Sequence, residues 1–231
     1  MSHRGVVDRF PENTVEALLE AVENGFTALE LDVVASKDAE LVCSHNLDLE
    51  TETEGRGYFK SKSLSELVKI KTGVFTHEKR LKNLSSLKEV LERVPKNIFL
   101  NIEIKTGSIF DINSIMILEK YRKEGLLNRK YIVSTFNPFA VFIIRYFTGL
   151  RRVGFLVLYR DWLWMINYIH PDALHPSAHL LDMGLIETCK KRNIKVNTWT
   201  VNNEVTLKLC SKLGTDGIIT DFDRPLFLQE L

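Results

Sequence analysis

Two short apolar stretches carry carboxylates at alternate positions, where a core strand would carry none. In LELDV, Glu30 and Asp32 share one face of an extended chain, and in NIEIK, Glu103 and Lys105 do the same. Like charges gathered inside a fold are costly unless a cation or a proton neutralises them. Three carboxylates aimed at one point would suit a hard divalent ion such as Mg²⁺ or Ca²⁺. The alternative is a pair of ordinary edge strands, each with a solvated charged face.

The elements that must position these side chains alternate along the chain. Strands are expected at His3 and near residues 29–33, 42–45, 98–105, 131–134, 152–157, 173–175, 195–200 and 217–220. Helices are expected near residues 15–22, 64–70, 84–94, 112–124, 138–147, 162–169, 183–192 and 204–213, with a short helix at the C-terminus. Repeated strand–helix units with short connections favour a parallel sheet.

Counting the element at His3 as the first strand gives eight strand–helix units, which predicts a (β/α)₈ TIM barrel of the α/β class. The chain of 231 residues is within the usual length of that fold. An open doubly wound sheet is the alternative, but its glycine-rich phosphate turn is absent. No linker or low-complexity tract interrupts the sequence, so residues 1–231 are expected to form a single domain. Little precedes His3, so the first strand is expected to be short or truncated. Either residues upstream of His3 are missing or the barrel closes in an unusual way.

The barrel prediction brings distant polar residues together, because the active sites of such barrels lie at the C-terminal ends of the strands. His45 closes the short strand at residues 42–45, where the chain begins an excursion from the barrel. The other polar residues expected at strand ends are His3, Glu30, Asp32, Glu103, Lys105, Ser134, His175, Trp199, Thr220 and Asp221. These side chains should therefore meet on one rim.

Composition limits the classes of function. The formal net charge of +1 gives no argument for nucleic-acid binding. The three cysteines, Cys43, Cys189 and Cys210, have unrelated spacings and are interpreted as reduced thiols of an intracellular protein. The sequence shows no signal peptide, and arginines and glycines interrupt its most apolar region, residues 139–169. We therefore expect a cytoplasmic protein without a transmembrane segment, and the oligomeric state is open.

At these positions the sequence resembles the glycerophosphodiester phosphodiesterases. The matching stretches are His3-Arg4-Gly5, Pro11-Glu12-Asn13-Thr14, Glu30-Leu31-Asp32, Ser44-His45, Asn101-Ile102-Glu103-Ile104-Lys105, Leu174-His175-Pro176, Thr198-Trp199-Thr200-Val201-Asn202 and Gly217-Ile218-Ile219-Thr220-Asp221. They extend over nearly the whole chain and occur in the order of that family. The resemblance implies a metal-dependent hydrolase of lipid and glycerol metabolism, which cleaves glycerophosphodiesters to glycerol 3-phosphate and an alcohol.

The resemblance also implies the roles of individual residues. Glu30, Asp32 and Glu103 would hold one divalent cation, Mg²⁺ or Ca²⁺. His3 and His45 would form the acid–base pair, and histidines that titrate near neutral pH suit that task.

Four further residues are assigned to substrate binding. Arg4 and Lys105 would meet the phosphate, Arg4 by a bidentate fork and Lys105 as a point charge. Trp199 would form part of the pocket wall, with plain core packing as the alternative. His175 is assigned to substrate contact, with capping of its strand as the alternative.

One departure from the family pattern affects the second histidine. The family usually has Asp after that histidine, and here the residue is Asn46. An amide can orient a neighbour by hydrogen bonding but cannot share charge with it. The order of events is also open, because either a neighbouring glycerol hydroxyl, giving a cyclic phosphate, or water directly could attack the phosphate.

Two other functions compete with hydrolysis of soluble diesters. One is a lysophospholipase D activity on membrane lysolipids, and the other is a catalytically silent barrel that binds phosphate ligands. Nine of the 22 aromatic residues lie between Phe139 and Tyr168, where Arg145, Arg151, Arg152 and Arg160 are interleaved with them. Core packing explains part of this cluster. The remainder is interpreted as a peripheral membrane contact, since aromatic rings beside cations suit a lipid interface.

Overall fold

A computed structural model describes residues 1–150 and 152–225, and eight of its strands form a closed parallel barrel. The strands are β1 (Ser2–His3), β2 (Ala28–Ala35), β3 (Leu41–Cys43), β4 (Lys71–Thr72), β5 (Lys82–Asn83), β6 (Phe99–Ile104), β7 (Tyr131–Thr135), β8 (Val153–Val157), β9 (Ala173–Pro176), β10 (Lys195–Thr198) and β11 (Gly217–Ile218). Strands β1, β2 and β6 to β11 are neighbours in that order. The predicted (β/α)₈ barrel is confirmed.

The barrel closes through the shortest strands, β1 and β11. The backbone N–H of His3 donates to the carbonyl of Thr220 at 2.9 Å, and the N–H of Thr220 donates to the carbonyl of Met1 at 3.1 Å. A parallel bridge between Ser2 and Thr220 continues the ladder beyond β11. The first strand is therefore short, as predicted, yet it completes the sheet.

The described residues form eight α-helices, and six of them lie close to the bounds expected from the periodicity of the sequence. They are α1 (Val15–Glu23), α2 (Leu64–Leu67), α3 (Leu87–Arg93), α4 (Asn113–Lys123), α5 (Pro138–Phe147), α6 (Ile166–Ile169), α7 (Met183–Lys191) and α8 (Glu204–Leu213). Helices α5 and α8 match the predicted bounds. The side chains of Thr14 and Ser86 cap α1 and α3 by accepting hydrogen bonds from backbone N–H groups.

Three predicted elements differ from the structure. The helix expected at residues 162–169 is a 3-10 segment, Arg160–Met165, followed by the single turn of α6. The helix expected at residues 64–70 is also only one turn long, α2. The strand expected at residues 42–45 is β3, which pairs antiparallel with β2 outside the barrel. Five residues join β2 to β3, too few for a parallel crossover. The expected C-terminal helix lies outside the described residues.

Residues 36–98, between β2 and β6, form an excursion from the barrel with its own small core. That core buries six side chains: Val34, Val42, Leu49, Phe59, Leu67 and Leu84. The main core is much larger and lies between the barrel strands and the surrounding helices. It includes Leu29, Leu31 and Val33, so the opposite face of β2 points into the barrel.

Two further expectations concern the cysteines and the membrane. All three cysteines are buried free thiols, as expected. Among the described residues, no helix has the length and apolar character needed to cross a bilayer.

Candidate active site

The three predicted metal-binding carboxylates converge inside the rim of the barrel. Strands β2 and β6 are parallel neighbours, and their register places Asp32 opposite Glu103. Two residues earlier on each strand, Glu30 lies opposite Asn101. One oxygen each of Glu30, Asp32 and Glu103 lies within 4.8 Å of the others, and all three side chains are buried. Alternate positions on two adjacent strands thus gather the charges as the sequence predicted.

Two cations partly neutralise this cluster. The ammonium of Lys105 lies 3.0 Å from Asp32 Oδ1 and directly contacts Glu103. The Nε of Arg4 lies 3.0 Å from Asp32 Oδ2. Neither carboxylate oxygen of Glu30 has a hydrogen-bond partner among the described residues. A buried carboxylate without a partner, beside two others, fits a divalent cation held by Glu30, Asp32 and Glu103.

The pKa values of the three carboxyl groups differ because their partners differ. Burial, followed by the charges of Asp32 and Glu103, raises the pKa of Glu30 well above its ordinary value. Burial and then Asp32 raise the pKa of Glu103 to about 7. Burial acts in the same direction on Asp32, but Lys105 and Arg4 outweigh it and the pKa falls to about 2. The cluster therefore holds one firmly ionised carboxylate and two that bind protons readily.

The stretch from Pro11 to Thr14 holds Asp32 in place through hydrogen bonds from Asn13, a role that the sequence pattern did not reveal. Asn13 has a left-handed backbone, φ 58°, and its side chain bonds Asp32 twice. Its Nδ2 donates to Asp32 Oδ2 and its Oδ1 accepts from the Asp32 backbone N–H, both at 2.9 Å. The Asn13 N–H in turn donates to the Arg4 carbonyl at 3.0 Å. The two matched motifs therefore form one framework around the carboxylates.

Gly5 allows that framework to form. Its φ is +91°, and a Cβ at this position would lie 2.4 Å from the backbone of Ala17 in α1. Only glycine fits so close to another backbone with a positive φ. Arg4 also has a left-handed backbone, with a φ of 59°, and its side chain lines the cavity.

His3 is paired with Asp221, a residue to which the sequence assigned no role. Nδ1 of His3 lies 2.6 Å from Oδ1 of Asp221, and Nε2 lies 3.8 Å from Glu30. Burial would raise the pKa of Asp221, but its hydrogen bond to His3 helps to lower it. Nδ2 of Asn202 donates to the other carboxylate oxygen at 2.6 Å. Asp221 thus fixes the orientation of the His3 ring.

His45 also lines the cavity, close to acidic side chains from two other parts of the chain, Glu12 and Glu52. A nitrogen of its ring and carboxylate oxygens of Glu12 and Glu52 all lie within 4.8 Å of one another. Burial, and then the charges of Lys105 and Arg4, lower the pKa of His45 to about 4, so the ring is neutral near pH 7.

Glu52 belongs to an acidic run, with Asp48, Glu50 and Glu54, that is typical of a solvated loop, yet its own side chain is half-buried. Asn46 Nδ2 donates to Glu52 Oε1 at 2.6 Å. Burial and then Glu12 raise the pKa of Glu52 to about 8. Arg4 Nη1 donates to both oxygens of Glu12, at 2.8 and 3.1 Å. Asn46 therefore connects the loop that carries His45 to a carboxyl cluster.

These groups surround one cavity of about 190 Å³ at the barrel rim. It is lined by His3, Arg4, Glu30, His45, Asn101, Glu103, Lys105, Phe136, Leu156, Trp199, Thr200 and Ile219. The rings of Phe136 and Trp199 meet edge to face with their centroids 5.4 Å apart. The cavity therefore has charged groups on one side and an apolar wall on the other. Seven of the nine predicted catalytic, metal-binding and substrate-binding residues line it directly, and Asp32 lies behind Lys105 and Arg4.

The ninth, His175, does not reach the cavity wall. Its fully buried ring lies inside the barrel against Gly154. A Cβ added to Gly154 would lie 2.8 Å from Nε2 of His175. Asn197 Nδ2 lies 3.0 Å from that nitrogen, and burial lowers the pKa of His175 to about 3. The His175 carbonyl instead accepts the indole N–H of Trp199 at 2.7 Å. Its ring points inward because inward and outward positions alternate along β9.

A barrel whose rim brings carboxylates, basic side chains and histidines to one cavity is a typical (β/α)₈ enzyme. Residues 3–223 match the model of the glycerophosphoryl diester phosphodiesterase family. The chain belongs to that family, and the resemblance inferred from its motifs is confirmed.

Individual proteins agree with this assignment. The chain is 32% identical over 226 residues to a glycerophosphodiester phosphodiesterase of Caldanaerobacter subterraneus subsp. tengcongensis, with 96% of this chain and 93% of the relative covered. It is 25% identical over 265 residues to a human lysophospholipase D, covering 98% and 84%. An Oleispira antarctica phosphodiesterase solved with the product sn-glycerol-3-phosphate has the same fold, with a TM-score of 0.85, 24% identity and coverage of 96% and 92%.

Proposed function

We propose that this protein is a metal-dependent hydrolase that cleaves glycerophosphodiesters to glycerol 3-phosphate and an alcohol. One observation carries the proposal: three buried carboxylates, two cations and two histidines meet around a single cavity. The family and the named relative at 32% identity support it. The single barrel also supports treating residues 1–231 as one catalytic domain.

The metal would be held by Glu30, Asp32 and Glu103. A bound Mg²⁺ or Ca²⁺ would stabilise the negative charge that develops on the phosphate oxygens during the reaction. Lys105 and Arg4 lie beside these carboxylates and would bind the phosphate as additional cations. The substrate is an anion, so the metal together with Lys105 and Arg4 would favour both its binding and attack on its phosphorus.

The two histidines would transfer protons. The His45 ring, neutral near pH 7, is suited to accept a proton from the attacking hydroxyl. The Asp221 carboxylate orients the His3 ring, and His3 would donate a proton to the leaving alcohol. The first product distinguishes the two routes, since attack by a glycerol hydroxyl gives a cyclic phosphate and attack by water gives glycerol phosphate.

The test is a metal titration with a soluble diester. The chelated protein is mixed with glycerophosphocholine, and release of glycerol 3-phosphate is followed as Mg²⁺ or Ca²⁺ is added. We expect release that saturates with metal. Tight binding of phosphate ligands without turnover would instead indicate a silent barrel, and release unaffected by chelation would contradict metal dependence.

We propose that the protein also acts on a membrane-associated substrate. The proposal rests on the aromatic side chains between Phe139 and Tyr168, here called the aromatic surface. Most aromatic side chains of this surface are exposed, and only Phe155 is fully buried: the exposed ones are Phe142, Tyr146, Phe147, Tyr159, Trp162, Trp164 and Tyr168. Such rings suit the headgroup region of a bilayer, and one relative is a lysophospholipase D. The surface would let the enzyme take lysolipids from a membrane.

The interleaved arginines do not form the free basic patch that the sequence suggested. Arg145 is ion-paired with Asp172 at 2.6 Å, and Arg160 contacts Asp182. Arg152 precedes β8, at the opposite end of the barrel from the active site, and Arg151 lies outside the described residues. Membrane contact would therefore depend on the aromatic rings and only weakly on anionic lipid.

Vesicle sedimentation tests this contact. Wild type and Trp162→Ala/Trp164→Ala are mixed with phosphatidylcholine vesicles, with or without phosphatidylserine, and turnover of a lysophospholipid is compared with that of glycerophosphocholine. We expect the variant to lose sedimentation and lysolipid turnover while retaining the soluble activity. Tyr58→Ala, which removes an exposed ring elsewhere, is the control. No sedimentation of the wild type would leave an enzyme of soluble diesters.

A further inference from the structure

Asn101 is a buried amide whose hydrogen-bonding groups face the cavity without partners. It lies on β6 opposite Glu30 and is 1% exposed. Neither Nδ2 nor Oδ1 has a hydrogen-bond partner among the described residues. A buried polar group without a partner is costly, so such groups in native proteins nearly always bind water, an ion or a ligand. The amide lines the same cavity as the catalytic candidates.

The chemistry of the amide limits what it can bind. Nδ2 donates and Oδ1 accepts, so a matching ligand must offer both an acceptor and a donor. A phosphate oxygen of a diester only accepts, and would leave Oδ1 unpaired. A divalent cation would engage Oδ1 and leave Nδ2 unpaired. A hydroxyl group both donates and accepts, and two adjacent hydroxyls can satisfy both amide atoms at once.

Most other groups around the cavity do not suit that role. Thr200 carries a hydroxyl, but this residue is only half-buried, so leaving its hydroxyl without a partner costs less. Arg4 and Lys105 are cations already directed at negative charge. Leu156, Trp199 and Ile219 present apolar surface, and the Trp199 indole N–H is occupied by a backbone carbonyl. Among the described residues that line the cavity, Asn101 is the single buried side chain that is both neutral and polar.

We infer that Asn101 recognises the glycerol hydroxyls of the substrate and so makes the enzyme select glycerophosphodiesters over other phosphodiesters. The inference rests on the proposed function and adds a residue that determines specificity. A site built to bond a hydroxyl rejects an analogue without it, because its own buried groups are then left unpaired.

Calorimetric binding of two matched ligands tests the inference. sn-Glycerol 3-phosphate and n-propyl phosphate share the phosphate and the three-carbon chain, and only the first carries hydroxyls. In the presence of Mg²⁺, wild type should bind sn-glycerol 3-phosphate roughly 10- to 100-fold more tightly, as expected for one buried polar group left unpaired. Asn101→Ala should reduce this preference to within about threefold, with the affinity for propyl phosphate unchanged.

Ser134→Ala is the matched control. The Ser134 hydroxyl is also buried and without a partner, on the neighbouring strand, but it does not line the cavity. This variant should keep the wild-type preference. Thermal melts of both variants check that the barrel remains folded.

The outcomes separate the inference from the proposed function. If Asn101→Ala retains the preference for the hydroxylated ligand, Asn101 binds only water and the inference is wrong. Equal binding of the two ligands by wild type leads to the same conclusion. A wild type that shows the preference but never hydrolyses glycerophosphocholine contradicts the function and leaves the inference standing. Failure to bind either ligand contradicts both.

Discussion

The Nδ1 atom of His3 lies 2.6 Å from the Oδ1 atom of Asp221, and this contact connects the two ends of the barrel sheet. His3 ends β1, and Asp221 follows directly after Thr220, whose carbonyl accepts the His3 N–H. The hydrogen bonds that close the barrel therefore also place the carboxylate against the imidazole. The orientation of the proposed proton donor, His3, therefore depends directly on closure of the fold.

Replacing Asp221 by Asn should slow the chemical step. The amide retains the shape of the carboxylate but no longer holds the His3 ring through a carboxylate hydrogen bond, so kcat should fall by roughly 10²-fold or more with KM little changed. Steady-state kinetics with glycerophosphocholine measures this effect. Asp223→Asn alters an exposed carboxylate two residues away and should behave as wild type. An equal loss in both variants would indicate a disturbed C-terminal segment.

Glu103→Gln should weaken metal binding and activity together while the fold remains intact. Loss of a hydrogen bond behind a metal ligand already costs about 10- to 100-fold in affinity, and loss of a charged ligand should cost at least as much. Metal affinity is measured by calorimetry, and the fold by circular dichroism. Glu124→Gln, at an exposed helix end, is the control. Full activity of Glu103→Gln after chelation and metal re-addition would show that the ligand assignment is wrong.

His3 and His45 should act as one unit. Each single alanine variant should lose roughly 10²- to 10⁴-fold in kcat, since each removes one proton-transfer group. The double variant should lose little more than either single variant, because groups that act together are strongly non-additive. Kinetics of the three variants at saturating metal measures the coupling. Losses that multiply would mean that the two rings act independently.

His175 should make the fold sensitive to acid. Its pKa is lowered from 6.5 to about 3 by burial, so the unfolded chain binds a proton in this window and the folded chain does not. The stability contributed by a neutral His175 is thus complete above pH 6.5 and is lost as the pH falls toward 3. Between pH 7 and pH 5 the loss should be about 2 kcal/mol in the free energy of unfolding.

Urea unfolding of wild type and of His175→Gln at pH 7 and pH 5 measures how much His175 contributes to the pH dependence of the free energy of unfolding. Glutamine does not titrate, and its side-chain oxygen can accept a hydrogen bond from Asn197. The difference between the two pH values should therefore be smaller than in wild type by about 2 kcal/mol. His179→Gln, which removes an exposed histidine, should leave the difference unchanged. An unchanged difference in His175→Gln would mean that the buried ring is protonated without unfolding.

Strand and helix periodicity predicted most of the barrel, because its strands are two-sided and its helices are amphipathic. The carboxylate cluster was also predictable, since alternation on β2 and β6 determines which face Glu30, Asp32 and Glu103 share. The antiparallel pairing of β3 with β2 was harder to predict from the sequence. Periodicity identifies a strand but carries little information about the direction of its neighbour.

The residues that the sequence missed act through contacts distant along the chain. Asp221 meets His3 only after the barrel closes, and Asn13 reaches Asp32 only from a left-handed turn. Glu52 belongs to an acidic run that is typical of a solvated loop, and its burial depends on how the excursion packs. His175 occupies a strand end beside a matched motif, but the direction of its side chain depends on register within the sheet.

The excursion between β2 and β6 gives the two histidines different local stabilities. His3 is held by the barrel, whereas His45 and Glu52 lie in the part of the excursion whose small core consists of Val42, Leu49, Phe59, Leu67 and Leu84 packed on Val34 of β2. A segment with few buried apolar contacts opens more readily than the core to which it is attached. Opening of this segment would displace His45, one of the two proposed proton-transfer groups, and leave the barrel and the proposed metal-binding carboxylates in place. On warming, activity should therefore disappear before the barrel melts, and amide hydrogens of the excursion should exchange with solvent first.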